Sequence, residues 1–242
     1  MKKAILCFPQ ITSRAIQYPT GLYKIASFCK NEYDIIVLDQ RIEYDFFNKL
    51  DKIIINNPDI LCLGLSVFTG EQIRYALEIS IMYHDRIKIV WGGIHPTITP
   101  KQTIINKYID YIIIGEGEAA FLNLLRTLDG KKEKKELFLS KNNAFYEYNI
   151  HPDLNEMEYV DFKKYPIREE YFNKRDGFNK SFNLETSRGC PFKCSFCHNS
   201  IHRKPYRFIN YENVQDILNS FCDFDVDGIV FQEDNFFIDF DR

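Results

Sequence analysis

Ile60-Leu61-Cys62-Leu63-Gly64-Leu65-Ser66-Val67 is an unbroken apolar run of strand length, followed at once by Phe68-Thr69-Gly70. A strand wetted on one face alternates apolar and polar residues; one covered on both faces does not. Gly70–Asp85 comes next, of helix length and with apolar spacing near 3.6. It sets Ile73, Leu77 and Ser80–Ile81 on one side and Arg74 and Glu78 on another. Lys88–Trp91 is a second buried-type run. Strand, helix and strand in that order make a crossover unit, whose strands are parallel. Ala4–Phe8 and Asp34–Leu38 precede this unit and Tyr111–Ile114 follows it, all with the same character. Asn57-Pro58-Asp59 breaks the helical stretch before Ile60. The fold class is therefore α/β. Residues 1–130 are expected to form a flavodoxin-like, doubly wound parallel sheet, closed by Gly130 and the charged run Lys131–Glu136.

Ligands of such sheets sit beyond the carboxyl ends of the strands, near the switch in strand order. Three ends qualify: Ser66-Val67-Phe68-Thr69-Gly70, Trp91-Gly92-Gly93-Ile94-His95-Pro96 and Gly115-Glu116-Gly117-Glu118. Gly92-Gly93 lets a bulky group approach the backbone closely. Glycines after strands serve equally well as plain turns.

Residues 131–181 read as a hairpin and linker. Leu137–Leu139 and Ala144–Tyr148 flank Lys141-Asn142-Asn143, and His151–Lys180 carries aromatics and prolines without a period. Those aromatics read as packing groups rather than nucleic-acid stacking platforms, because no dense basic groove accompanies them. From residue 182 the chemistry changes. Phe182–Thr186 is strand-like and leads into Arg188-Gly189-Cys190-Pro191-Phe192-Lys193-Cys194-Ser195-Phe196-Cys197-His198. Three of the seven cysteines fall here, spaced C-x3-C-x2-C, and such clustering points to a metal site or redox chemistry. Four readings compete. Three thiolates could hold an iron–sulfur cluster and leave one iron without a protein ligand. A Cys3His zinc site could use His198 or His202, although no second C-x2-C knuckle closes it. Cys194–His198 matches the haem pattern C-x-x-C-H, which leaves Cys190 unexplained. Packing or disulfide cysteines are the fourth, disfavoured by the odd cysteine count. The open-cluster reading accounts for all three residues.

Composition sets outer bounds. A hydrophobic share of 45% suffices for real cores, and a net charge of −3 implies no general attraction to nucleic acid or anionic lipid. Residues 210–242 hold one basic side chain against nine acidic ones, which reads as solvated helix faces. Met1-Lys2-Lys3 before Ala4–Phe8 resembles a signal peptide, but Pro9, Gln10 and Arg14 cut the apolar run short. No stretch approaches the ~18–20 apolar residues needed to span a bilayer. A cytoplasmic location follows, with no membrane and no nucleic-acid partner expected.

The run Arg188–Cys197 resembles the signature of radical S-adenosylmethionine (SAM) enzymes. That resemblance implies a 4Fe–4S cluster on Cys190, Cys194 and Cys197, its fourth iron chelated by the amino and carboxylate groups of SAM. It places Phe196 against the SAM adenine. After a helix expected at Asn210–Phe221 and a strand at Ile229–Phe231, it places Gln232, Glu233 and Asp234 at the SAM amino group. It further implies one-electron cleavage of SAM to a 5′-deoxyadenosyl radical, a reductant such as flavodoxin or ferredoxin, and a small-molecule or peptide substrate. Pro19-Thr20-Gly21-Leu22, Trp91–Thr97 and Ile114–Glu118, ahead of the cysteine loop, are similar to the cobalamin-binding subgroup. There Ser66, Gly92, Gly93, Gly115 and Glu116 would line the cobalamin site. Methyl transfer to carbon or phosphorus is the usual outcome in that subgroup, and ring rearrangements also occur. The D-x-H-x-x-G motif that supplies cobalt with a histidine is absent, since Phe8–Ala15 holds no histidine; many members of the subgroup also lack it.

Residues 182–242 contain only two strand-like segments, whereas the family's partial barrel has about six strand–helix units. The expectation is a fragment, a truncated product or one of two polypeptides. Two alternatives stand beside the methyltransferase reading. A methylthiotransferase would hold a second cluster through Cys7, Cys29 and Cys62. A non-catalytic module would bind cobalamin or a partner and keep an unused cysteine loop.

Overall fold

The computed structural model describes residues 1–12, 16–68, 70–131, 137–141, 151–197, 199 and 205–238. The chain divides into two compact units, Met1–Thr12 with Pro19–Ile150 and Ser13–Tyr18 with His151–Arg242.

The first unit is built on six strands: β1 (Lys3–Phe8), β2 (Asp34–Asp39), β3 (Ile60–Ser66), β4 (Lys88–Gly92), β5 (Tyr111–Ile113) and β6 (Phe138–Ser140). Their order is β2-β1-β3-β4-β5-β6. The first five are parallel, and β6 runs antiparallel along β5, with Leu139 opposite Ile112. The expected doubly wound sheet is present, each expected strand within one residue of its limits. The first arm of the expected hairpin is β6, which pairs with the main sheet; Ala144–Tyr148 lies outside the described residues. Helices α1 (Thr20–Cys29), α2 (Phe46–Asn56), α3 (Glu71–Tyr83), the short α4 (Ile94–Ile98) and α5 (Pro100–Ile104), and α6 (Glu118–Leu128) connect the strands. Cys62, Leu63, Gly64 and Leu65 of β3 are all buried, which is what coverage on both faces requires.

Helix α3 turns a different face inward from the one its apolar spacing predicts. Gln72, Ala76, Ile79, Ser80 and Tyr83 are buried, Ile73 and Leu77 are only partly covered, and Ile81 is exposed. The reason is polar. Ser80 Oγ donates to the Ala76 carbonyl at 2.8 Å and accepts from Trp91 Nε1 at 2.9 Å. Gln72, fully buried, accepts from Phe68 N–H at 2.8 Å and donates to the Pro9 carbonyl at 3.0 Å. One amide thus joins the chain leaving β1 to the chain leaving β3, at the point where the strand order reverses. Satisfied polar groups can occupy a core face, and an apolar count alone does not see them.

The second unit centres on β8 (Phe178–Leu184), flanked by β7 (Asn173–Arg175) and β11 (Gly228–Phe231). β11 is parallel to β8, with Val230 opposite Asn183, and α7 (Tyr211–Cys222) lies between them in the chain. Asn210 caps that helix by accepting from Asn213 N–H at 2.8 Å. β7 is antiparallel to β8 and joins it through Asp176-Gly177, both at positive φ. From sequence alone this stretch is expected to be an extended connector, and the structure makes it a hairpin. Asp-Gly with two left-handed residues is the geometry of a two-residue hairpin turn, and the dipeptide carried that signal. Phe182 packs on Phe221 and Tyr18 with ring centroids 5.0 and 5.2 Å apart, so Tyr18 contributes to this unit's core. Among the described residues the second sheet has three strands and no closed barrel.

Replacing Gln72 by Leu leaves Phe68 N–H and the Pro9 carbonyl without their partner. The expected cost is about 1–3 kcal/mol, read as a lower urea midpoint with an unchanged denaturant slope.

Candidate functional site

Two regions carry the expected site residues, one in each unit. In the first, the rim at the carboxyl ends of β3, β4 and β5 gathers Ser66, Gly92, Gly93 and Gly115. Ser66 stands opposite Gly92 in the ladder, and Val67 N–H donates to the Gly92 carbonyl at 2.8 Å. His95 N–H donates to the Val67 carbonyl at 3.0 Å, which folds the turn back onto the β3 end. Gly93 makes this possible: its φ is +96°, and a Cβ there would lie 2.8 Å from the Val67 carbonyl oxygen. Gly115 N–H donates to Thr97 Oγ1 at 3.0 Å, tying the β5 end to the same turn. Ser66, Gly92, Gly93, Gly115 and Glu116 are each partly exposed beside buried strand residues. The missing Cβ atoms of Gly92 and Gly93 face Ile113 and the Val67 backbone, so these glycines serve the packing of the strand ends, and it is the partly exposed edge they form with Ser66, Gly115 and Glu116 that fits a large cofactor such as cobalamin. Gln72, which holds the β1 and β3 ends together, was not singled out from sequence; a buried glutamine has no local signature. Burial lowers the pKa of His95 from its ordinary value, so its ring, 6.1 Å from that of Trp91, is favoured neutral.

In the second unit, the chain leaving β8 enters the cysteine loop through a narrow neck. β9 (Ser187–Arg188) pairs antiparallel with β10 (Arg207–Phe208), and Ile209 N–H donates to the Thr186 carbonyl at 2.8 Å. The residues after β11 fasten this neck. Glu233 accepts from Thr186 N–H at 3.0 Å and from the hydroxyls of Thr186 and Ser187. Asp234 Oδ2 accepts from Gly189 N–H at 3.1 Å, one residue before Cys190. Gly189 has φ +87°, which turns the chain into the loop. Gln232 N–H continues the ladder to the Leu184 carbonyl at 2.8 Å, and its side chain donates to Gln17 Oε1 at 2.9 Å.

Cys190 and Cys197 are partly exposed, Cys194 is exposed, and none of the three is in a disulfide. Cys197 N–H donates to the Cys194 carbonyl at 3.0 Å, a tight turn between the last two. Phe196 is 91% exposed. Among the described residues no three His, Cys, Asp or Glu side chains converge on a single ion. A cubane cluster takes each thiolate on a different iron, so convergence on one point is a zinc criterion and not a cluster one. His198 and His202, the alternative zinc ligands, lie outside the described residues. By its donor set, an accessible trio of uncrosslinked thiols on one loop fits a cluster.

The other sulfurs are unlike these. Cys7 in β1, Cys29 ending α1 and Cys62 in β3 are buried, and burial raises each thiol well above its usual pKa. Asp39 adds to the effect at Cys7, and Glu118 and Glu32 add to it at Cys29. All three lie in the buried interior of the first unit, unlike the cysteines of the loop.

Comparison with known proteins bears on the first of these regions and on the fold of the chain. Residues 10–125 match the family described as B12 binding domain. An uncharacterized methyltransferase of Pyrococcus horikoshii is 28% identical over 225 residues, which are 90% of this chain and 49% of that protein. The cobalamin-dependent SAM radical enzyme OxsB, solved with aqua-cobalamin and SAM, superposes over 98% of this chain and 34% of its own. Its TM-score is 0.69 at 18% identity. The radical SAM methyltransferase TsrM of Kitasatospora setae, solved with cobalamin and a [4Fe-4S] cluster, gives a TM-score of 0.74. That match is 14% identical and covers 97% of this chain and 48% of TsrM. The likeness is to radical SAM enzymes that carry a B12-binding domain. At these identities the two structures establish the fold: mixed α/β with a parallel sheet of the cobalamin-binding, Rossmann-like kind. The chain spans about half the length of the Pyrococcus protein. Among the described residues no helix is long and apolar enough to cross a membrane.

Two measurements probe these regions. A histidine whose folded pKa is depressed contributes stability above its ordinary value of about 6.5 and loses it as pH falls through the folded value. The melting temperature of the first unit is expected to drop between pH 7.5 and 5.5, and His95→Gln is expected to flatten that drop. Glu233→Gln is expected to speed amide exchange at Thr186 and Gly189 by about tenfold, because a neutral acceptor holds the neck less well; unchanged protection would deny Glu233 that role.

Proposed function

We propose that this chain is part of a cobalamin-dependent radical SAM enzyme of the methyltransferase type. One observation carries the reading: the Cys190–Cys197 loop springs from the carboxyl end of a parallel strand and is fastened by the end of the next parallel strand. Cys190, Cys194 and Cys197 would hold a 4Fe–4S cluster, and the exposed ring of Phe196 offers an apolar face to the SAM adenine. Asp234 keeps its Oδ1 for the SAM amino group, while Glu233, with both oxygens engaged, positions the loop. Gln232 would act at the edge of the same pocket. Ser66, Gly92, Gly93, Gly115 and Glu116 would border the cobalamin. When bound, the cluster supplies the electron that cleaves SAM, and cobalamin supplies a cobalt able to carry a methyl group.

The chain's own residues orient and exclude. The neck formed by Thr186–Arg188 and Arg207–Phe208 fixes where the loop begins, and the buried strands beneath the rim keep water from its underside. The substrate would be a small molecule or peptide and the electron donor a flavodoxin- or ferredoxin-like protein, in the cytoplasm, with neither membrane nor nucleic acid involved. In this reading residues 1–130 carry the cobalamin, 131–181 link, and 182–242 begin the SAM-binding part.

Anaerobic reconstitution with iron and sulfide is expected to load about four irons per chain, with a broad absorbance at the blue end of the visible range. Cys194→Ala is expected to lose most of that iron. Equal iron in parent and variant would remove the cluster assignment. Aquacobalamin is expected to bind the parent and to be lost in Gly92→Trp, and binding unaffected by that substitution would move cobalamin away from the rim.

A further inference from the structure

The stretch from Pro152 to Val160 lies ahead of β7 in the chain, yet its polar groups reach both limbs of the cysteine loop. That loop runs from Gly189 to Tyr206, between β9 and β10, and those strands are two residues each. A ladder so short does little against the entropy of closing a long excursion. Glu233 and Asp234 hold the entry limb, at Thr186, Ser187 and Gly189. The return limb is held from elsewhere.

Asn155 holds it. Its Oδ1 accepts from Asn210 N–H at 2.7 Å, and its Nδ2 donates to the Phe208 carbonyl at 3.2 Å. One amide thus grips the chain on both sides of Ile209, whose own N–H goes to the Thr186 carbonyl at 2.8 Å. Asp153 sets the amide in place, its Oδ1 accepting from Asn155 N–H at 2.9 Å and from Asn155 Nδ2 at 3.2 Å. Arg207 Nη1 donates to the Pro152 carbonyl at 2.8 Å. The same segment meets the entry limb through Tyr159, whose hydroxyl accepts from Glu185 N–H at 3.1 Å. Leu154, Tyr159 and Val160 are buried. The Tyr159 ring lies 6.4 Å from that of Phe162, which lies 5.6 Å from that of Phe221 in α7. The grip is therefore founded on the unit's core. Asparagine suits it, because one planar amide carries both a donor and an acceptor.

We infer that Asn155 and Tyr159 are positioning residues for the cysteine loop, holding its return and entry limbs to one short segment of chain. Residues 152–160 thus belong to the seat of the loop and are not a passive link. The inference deepens the cluster reading and rests on it. With both limbs fixed, the loop keeps Cys190, Cys194 and Cys197 at constant separation, which slows the loss of bound iron.

The test uses the full chain, reconstituted anaerobically with iron and sulfide, and follows iron release to a ferrous chelator. Asn155→Ala is expected to release iron about tenfold faster than the parent, and Tyr159→Phe about threefold faster. Asp227→Ala is the control. Asp227 accepts from Asn179 and Lys180 N–H at 3.0 and 2.8 Å, at the amino end of β8 and away from the loop. Its loss is expected to lower the melting temperature and leave iron release unchanged. A second readout needs no iron. Amide exchange at Ile209 in the iron-free chain is expected to quicken about tenfold in Asn155→Ala and to stay unchanged in Asp227→Ala. Release and exchange unaltered in Asn155→Ala, or raised equally by Asp227→Ala, overturn the inference. If the parent takes up no iron, the cluster reading fails, and Ile209 exchange alone decides whether Asn155 holds the limb. Should Asn155→Ala fail to fold, Tyr159→Phe decides, since release as slow as the parent's removes the grip.

Discussion

A parallel strand cannot return to its neighbour through a tight turn. The chain must cross over a face of the sheet, and the crossing helix buries that face. Both units obey this constraint, and it settles where chemistry can occur. In the first unit, with the faces covered, the strand ends are what remain accessible, and the carboxyl ends of β1–β5 all point one way. The glycine rim of the first unit and the cysteine loop of the second occupy the same place in their own sheets.

Ends held only by a strand ladder would be loose, and in each unit a buried or half-buried side chain stiffens them. Gln72 does so with a neutral amide that meets one donor and one acceptor. Glu233 does so with a carboxylate that collects a backbone N–H and two hydroxyls. The second device is stronger because its acceptor is charged. It also means that an acidic residue at the expected position for a ligand's ammonium group can have a different task. Asp234, beside it, accepts from Gly189 N–H with one oxygen.

Much of the fold was legible because parallel strands announce themselves: Ile60–Val67 cannot be a half-exposed strand and is too short for a free helix. The cysteine loop was legible for a different reason, since ligand chemistry requires particular atoms at particular spacing. What escaped had weaker local causes. The inward face of α3 depends on Gln72 and Ser80 finding partners in distant segments, which no periodicity encodes. β7 was hidden by its neighbours, although Asp176-Gly177 named the turn.

The chain has one tryptophan, and Trp91 is 2% exposed, hydrogen-bonded to Ser80 and followed directly by Gly92. Its ultraviolet emission therefore originates in the first unit alone. A dry, immobilised indole emits at short wavelength, and release into water shifts that band to the red. The melting of one half of this molecule can be watched optically while the other half stays silent, without a label and without cutting the chain.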